Sequence, residues 1–260
     1  CGYQRVLAAL SLTGIWCCLG GFCLALAATK YRLDLNLARV LLTAVGANPK
    51  VIMLGLMMVT AMFSMFMSNT ATTAMMLSLL APVLAVLPAN DPGRVAFALS
   101  IPISANIGGL GTPIGTPPNV IGLKYIVDQT PISFGKWMLF GVPFVVIMLL
   151  FAWWLLCVLF TPKQKTIELS ITGKFMKSWR AYITYFTFAL TILMWLLSDL
   201  HGINTYVVAM IPVGIFTATG IITKDDFKSI SWDVLWLLSG GIALGLALEK
   251  TGLASRMVSS

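Results

Sequence analysis

The stretch that decides the fold places poor helix formers inside a long uncharged segment: Gly108-Gly109-Leu110-Gly111-Thr112-Pro113-Ile114-Gly115-Thr116-Pro117-Pro118-Asn119. It contains three prolines, which lack a backbone donor, and four glycines, which raise the entropic cost of ordering a helix. The flanking residues between 95 and 123 carry no charged side chain. We therefore predict one apolar helix over residues 95–127 that is broken in its middle.

The composition predicts that this helix lies in a bilayer. Of the 260 residues, 58% are hydrophobic and only 10% are charged, and the mean hydropathy is +0.92; soluble domains have roughly 25% charged residues. Charge-free runs long enough to cross a hydrocarbon core of about 30 Å occur at residues 6–29, 137–160, 181–198 and 205–223. We predict an all-α integral membrane protein that crosses the bilayer several times.

The net charge of +8 does not indicate a nucleic-acid partner, because the 17 Lys and Arg residues lie between the apolar runs and form no polar domain. The five cysteines have no metal-type spacing. Since they lie in or beside apolar segments, we interpret them as small buried residues without a redox or metal role: Cys1, Cys17, Cys18, Cys23 and Cys157.

A second interruption precedes the broken helix. Residues 51–90 carry no charge, yet their centre is the polar run Ser68-Asn69-Thr70-Ala71-Thr72-Thr73, with Met-rich helical stretches on both sides. This pattern predicts a re-entrant hairpin, in which two helices meet at a polar tip and both outer ends lie on one side of the membrane.

The distribution of Lys and Arg tests this arrangement, because cytoplasmic loops carry an excess of them. With 51–90 as a hairpin and 95–127 as a single crossing, twelve lie on one side and five on the other. If 95–127 were a second hairpin, the split would be nine against eight and the bias would vanish. The side with the excess holds Lys30, Arg32, Arg39, Lys50, Arg94, Lys163, Lys165, Lys174, Lys177, Arg180, Lys224 and Lys228.

An internal repeat connects the two ends of the chain. Trp16, Gly20-Gly21, Leu24, Leu26-Ala27, Lys30 and Leu33 recur in the same order and spacing as Trp236, Gly240-Gly241, Leu244, Leu246-Ala247, Lys250 and Leu253. In the favoured topology the two copies cross in opposite directions, as in inverted-repeat secondary transporters. We assign residues 1–180 to the first repeat, with an interfacial helix at 33–47, and 181–260 to the start of the second.

The two interruptions offer groups that bind ions. Ser68, Asn69 and Thr70 begin a helix, whose free N–H groups and positive dipole end attract an anion. Ser64 lies one turn before Ser68, so we expect both hydroxyls on one helix face. For the hydroxyls, the alternative is that they form hydrogen bonds only within their own helix. For the second segment, the alternative is a helix that is merely kinked.

The broken crossing should leave backbone carbonyls unpaired, and such oxygens persist in a bilayer only where protein, water or an ion satisfies them. Since neither segment contains a charged side chain or a histidine, we favour coupling to Na⁺ over coupling to protons. A bound anion would balance the cation, which predicts symport.

These motifs, together with Ile107-Gly108-Gly109 and Gly115-Thr116-Pro117-Pro118-Asn119, resemble the divalent-anion:sodium symporter family of dicarboxylate, citrate and sulfate carriers, within a wider ion transporter superfamily. The resemblance implies a homodimeric carrier that works by an elevator mechanism. It also implies that Ser64, Ser68, Asn69 and the Gly115 carbonyl bind Na⁺. Asn69, Thr70, Thr116 and Pro117 would contact the substrate.

The second copy of the repeat opens close to Ser260, so its polar tip would fall beyond the chain. We therefore expect this chain to be a fragment that does not transport alone, from a protein of a cell (inner) membrane. Alternatives within transport are a carrier of arsenite or metal-citrate and a Na⁺/H⁺ exchanger. An anion channel is the alternative from another class, and an enzyme is disfavoured because no nucleophile–base pair is evident.

Overall fold

The computed structural model describes residues 13–43, 46–127, 132–164, 166 and 176–251. Cys1, residues 6–12 of the first predicted crossing, most of the basic loop between Lys163 and Arg180, and Leu253 of the second repeat copy lie outside this set. The described residues form helices and no strand, as predicted. They are α1 (Thr13–Lys30), α2 (Leu33–Thr43), α3 (Pro49–Ser64), α4 (Asn69–Val86), α5 (Gly93–Gly108), a 3₁₀ turn (Gly109–Gly111), α6 (Pro117–Val127), α7 (Phe134–Leu159), α8 (Trp179–Leu196), α9 (Ser198–His201), α10 (Thr205–Ala218), α11 (Lys224–Lys228) and α12 (Trp232–Thr251).

Both predicted interruptions are breaks between helices. Residues 65–68 separate α3 from α4, and the 3₁₀ turn with residues 112–116 separates α5 from α6. Pro117 is the first residue of α6, a position where the missing N–H would have no helical partner anyway. A helix also occupies most of the segment predicted to lie at the membrane interface, Leu33–Thr43.

Two helices in the described part of the chain are long and apolar enough to cross a bilayer, α4 with 18 residues and α7 with 26. The predicted crossing at 205–223 is shorter, because α10 stops at Ala218. Gly220 has a φ of 63°, and the N–H of Ile221 donates to the Phe216 carbonyl at 2.9 Å. This left-handed glycine closes the helix end.

The buried apolar residues in the described part of the chain form two clusters. The first joins α3, α4, α5 and α7, with Phe97, Ile101 and Leu80 among its fully buried members. The second joins α1, α8, α10 and α12. Phe66, from the break between α3 and α4, packs against this second cluster and stacks on Trp195 with ring centroids 6.4 Å apart. The polar tip therefore lies where the two clusters meet.

Small residues allow the helices of each cluster to approach closely. A Cβ atom on Gly108 of α5 would lie 2.4 Å from the Cα of Ala61 in α3. A Cβ atom on Gly20 of α1 would lie 2.2 Å from the carbonyl oxygen of Ala209 in α10. Such distances exclude any side chain, so both glycines are needed for the observed helix packing.

Candidate functional site

The two chain breaks face each other. The hydroxyl of Thr112, in the second break, donates a hydrogen bond to the carbonyl oxygen of Met65 in the first. Gly109 also lies against the first break: a Cβ atom on it would be 2.8 Å from Asn69 Oδ1 and 3.3 Å from the Gly115 carbonyl oxygen. The absence of a side chain at Gly109 thus leaves a small space onto which two oxygens converge.

Asn69 connects three helices at this point. Its Oδ1 lies 2.8 Å from the hydroxyl of Ser64, the last residue of α3, which is fully buried. The same Ser64 hydroxyl lies 2.6 Å from the Ala105 carbonyl of α5. Asn69 Nδ2 donates to Asn106 Oδ1 at 3.0 Å. The first residue of α4 is therefore attached to the ends of both α3 and α5.

Ser68 occupies a different environment from Ser64. It is the N-cap of α4, with extended backbone angles, and its hydroxyl accepts from the Ala71 N–H at 3.2 Å. The expectation that Ser64 and Ser68 share one helix face is wrong, because α3 ends at Ser64 and the chain turns before Ser68. Ser68 lines a cleft of about 170 Å³ between the tip, α1 and the segment after α11, together with Phe22, Ala25, Leu26, Thr29, Met67, Ala71, Ser229, Ile230 and Ser231.

The residues predicted to contact the substrate lie at two helix N-termini. Thr70 is in the first turn of α4 and is exposed. Thr116 directly precedes Pro117, which begins α6, and a Cβ atom on Gly109 would lie 3.3 Å from the Thr116 Cβ. Both helix beginnings thus flank the space beside Gly109, and their dipoles favour a negative charge next to this space.

The protein itself pairs several carbonyls of the second break. Nδ2 of the buried Asn119 donates to the carbonyl oxygens of Gly109 at 2.9 Å and Thr112 at 2.8 Å. Trp137 Nε1 donates to the Leu110 carbonyl at 3.0 Å. No donor among the described residues reaches the Gly115 carbonyl. This oxygen, with Asn69 Oδ1 and the Ser64 hydroxyl, forms a neutral oxygen set of the kind that hard cations prefer.

Sequence reasoning missed three side chains near the breaks. Asn106 and Asn119 are the amides described above, and Thr72 is a fully buried hydroxyl that has no hydrogen-bond partner among the described residues. The signal for Asn119 was its place in the Gly-Thr-Pro-Pro-Asn motif. Asn106 and Thr72 were polar residues in uncharged segments, but nothing in their spacing distinguished them from residues bonded within their own helix.

An ion pair lies beside the cleft that Ser68 lines. Lys30, at the end of α1, donates to the Asp226 carboxylate and, at 2.9 Å, to the Ile221 carbonyl. Burial raises the pKa of Asp226, but hydrogen bonds from Lys30 and from the backbone and hydroxyl of Thr223 outweigh it and lower the pKa below its usual value. Asp226 also completes the N-terminal cap of α11. This carboxylate therefore joins α1 to the segment that follows α10.

Comparison with known proteins identifies the family of this chain. A family model described as a citrate transporter, CitMHS, matches residues 2–260. Inorganic phosphate transporter PHO87 of Saccharomyces cerevisiae is 30% identical over 238 residues, which cover 90% of this chain and 26% of that protein. Sodium-dependent dicarboxylate transporter SdcS of Staphylococcus saprophyticus is 31% identical over 278 residues, which cover 91% of this chain and 53% of that protein.

An uncharacterised transporter of Haemophilus influenzae is 30% identical over 259 residues, which cover 93% of this chain and 55% of that protein. This chain therefore spans between about a quarter and about half of the length of these curated relatives.

The family model and the named relatives are all transporters, so they place the chain in a family of transporters and not of enzymes. The chain belongs to the citrate transporter family, CitMHS. The resemblance predicted from the motifs is confirmed, since sodium-dependent dicarboxylate transporters are among its relatives.

Proposed function

We propose that the full-length protein carries a di- or tricarboxylate, or another divalent anion, across a membrane together with Na⁺. The observation that carries this proposal is the convergence of Asn69 Oδ1 and the Gly115 carbonyl on the space beside Gly109. Ser64 lies within hydrogen-bond distance of Asn69 and adds a third oxygen. The names of the sodium-dependent dicarboxylate transporters among the relatives support the same cation and the same class of anion.

Charge balance provides the physical reason for symport. The proposed Na⁺ ligands are neutral, so the cation keeps its full charge in a medium of low dielectric constant, where an adjacent anion is stabilising. The positive dipole ends of α4 and α6 do not favour the cation, but they favour an anion bound next to it. Asn69, Thr70, Thr116 and Pro117 at these termini are the proposed substrate contacts. Ser68, the remaining residue predicted to bind Na⁺, lines the cleft beside α1 instead.

The proposed mechanism follows from an inverted repeat. In this proposal residues 51–90 form the re-entrant hairpin, and residues 1–180 and 181–260 belong to two repeats of opposite orientation. The full-length protein is a homodimer of a cell (inner) membrane, and an elevator-type movement carries the binding site across that membrane. The two copies of the repeat differ in their packing. A Cβ atom on Gly21 would meet Ile114 at 3.1 Å, whereas atoms on the equivalent Gly241 and on Gly240 would meet nothing within 4 Å.

Phosphate is the second candidate substrate, because two relatives are named phosphate transporters. Uptake of labelled succinate by the full-length protein in proteoliposomes, with Na⁺ or K⁺ outside, tests the proposal. We expect Na⁺-dependent uptake that unlabelled malate or citrate inhibits. Uptake of labelled phosphate without competition by dicarboxylates would favour the second candidate. Anion movement that never runs against the electrochemical gradient of the anion would favour a channel.

A further inference from the structure

Asn106 is an exposed amide beside the proposed site to which neither the motifs nor the relatives assign a role. It lies in the last turn of α5, two residues before the Gly108 contact with α3. Its Oδ1 accepts the hydrogen bond from Asn69 Nδ2 at 3.0 Å. Because the side chain is exposed, its NH₂ group, Nδ2, is free to meet a ligand.

The orientation of Asn106 depends on that of Asn69. A primary amide carries an acceptor on one side and a donor on the other. When Asn69 directs Oδ1 to Ser64, its Nδ2 meets Asn106, which must accept and so presents its own Nδ2 donor outward. If Asn69 were reversed, Asn106 would donate to it and would present an oxygen outward instead.

Ser64 alone does not fix this choice. Its hydroxyl has one proton and two oxygens within reach, Ala105 O at 2.6 Å and Asn69 Oδ1 at 2.8 Å. When the proton goes to the Ala105 carbonyl, the Ser64 oxygen can accept from a reversed Asn69. A cation bound between Ser64, Asn69 and Gly115 removes this freedom, because it requires the oxygen of Asn69 and repels its NH₂ group.

We propose that Asn106 contacts the anionic substrate through Nδ2, and that Na⁺ binding orients this donor through Asn69. The inference rests on the proposed function and extends it, because it explains how a cation at one side of Asn69 improves the site for an anion at the other. The substrate group concerned is a carboxylate or phosphate oxygen at the N-termini of α4 and α6.

The experiment compares Asn106→Ala, Asn106→Asp and the matched control Asn90→Ala, an exposed asparagine in the loop before α5. Each is made in the full-length protein, and Na⁺ binding without substrate is measured separately from succinate or phosphate uptake. A hydrogen bond to a charged group accounts for roughly a ten- to hundredfold change in affinity. We expect Asn106→Ala to raise KM by about tenfold or more, with Na⁺ affinity changed less than about twofold.

Asn106→Asp can still accept from Asn69 but cannot donate, and its negative charge repels the anion, so we expect it to raise KM more than Asn106→Ala does. If Asn106→Ala does not fold, an unchanged KM in Asn106→Asp overturns the inference. An unchanged KM in a folded variant would overturn the inference while the proposed function stood. Equal losses of Na⁺ and anion affinity would overturn it too, since they would show that Asn106 only supports the cation site. If the unmodified protein shows no Na⁺-dependent anion uptake, the proposed function itself is wrong.

Discussion

The hydroxyl of Thr112 donates a hydrogen bond to the carbonyl oxygen of Met65, and so joins two chain breaks that lie far apart in sequence. Met65 directly follows α3, and Thr112 directly follows the 3₁₀ turn after α5. Thr112 is fully buried, so no solvent could replace it as a donor. This bond holds the Gly109 region against Asn69, which brings the candidate ion-binding oxygens together.

Replacing Thr112 with valine should destabilise the protein. Valine has the shape of threonine but no hydroxyl, and it would leave the Met65 carbonyl without its donor, at a cost of about 1–3 kcal/mol. Thermal unfolding in detergent measures the effect. The control is Thr219→Val, because the Thr219 hydroxyl bonds only to the Ile215 carbonyl one turn earlier in the chain. Equal stability losses in both variants would contradict a special role for Thr112.

A methyl group at Gly109 should abolish Na⁺-dependent substrate binding. Its Cβ atom would lie 2.8 Å from Asn69 Oδ1 and would occupy the space onto which the oxygens converge. Binding is measured by uptake and by Na⁺-dependent protection against unfolding. Gly122→Ala in α6 is the matched control, since a Cβ atom there meets nothing within 4 Å and should favour the helix by up to about 1 kcal/mol. Normal binding by Gly109→Ala would exclude this space as the ion site.

Asn69→Ala should remove Na⁺-dependent anion binding while the protein remains folded. Asn69 is only partly buried, and its loss leaves Ser64 with the Ala105 carbonyl as an acceptor. We therefore expect a stability change of about 1 kcal/mol but a loss of roughly a hundredfold or more in Na⁺ affinity, because the side-chain oxygen that binds the cation disappears. Isothermal titration with Na⁺ measures this; unchanged Na⁺ affinity would refute the proposed ligand set.

The Lys30–Asp226 pair should make stability depend on acid pH. The pKa of Asp226 is lowered in the folded protein, so the unfolded chain binds the proton more tightly. The contribution is complete above the unfolded pKa of about 3.9 and is lost as the pH falls through the lower, folded pKa. Unfolding temperatures measured from about pH 6 down to about pH 3 should decline less steeply in Asp226→Asn than in the unmodified protein.

The control for this prediction is Asp225→Asn. Asp225 forms an exposed pair with Lys228 in the same short helix, and exposed pairs contribute little. We expect its pH profile to follow that of the unmodified protein. Identical profiles for all three proteins would show that Asp226 does not link α1 to α11 energetically.

Much of the fold followed from local sequence. Helix breaks were predicted at the polar run around Asn69 and in the stretch from Gly108 to Asn119, and helices end at both. These outcomes depend on local properties of the chain. Proline lacks an N–H wherever it occurs, and an uncharged apolar segment in a bilayer must pair its own backbone groups, which favours a helix. Helix length was less predictable: α10 stops at Ala218 because Gly220 turns the chain.

The composition of the site depended on tertiary structure. The sequence by itself determined that two polar breaks occur in apolar helices, because backbone hydrogen bonding is a local requirement. Only the packed structure decided that Ser64 faces Asn69 while Ser68 faces α1, and that Asn119 satisfies the carbonyls of Gly109 and Thr112. The physical reason is that a side-chain contact between helices depends on how each helix is rotated about its axis, and the burial of the whole apolar surface sets that rotation.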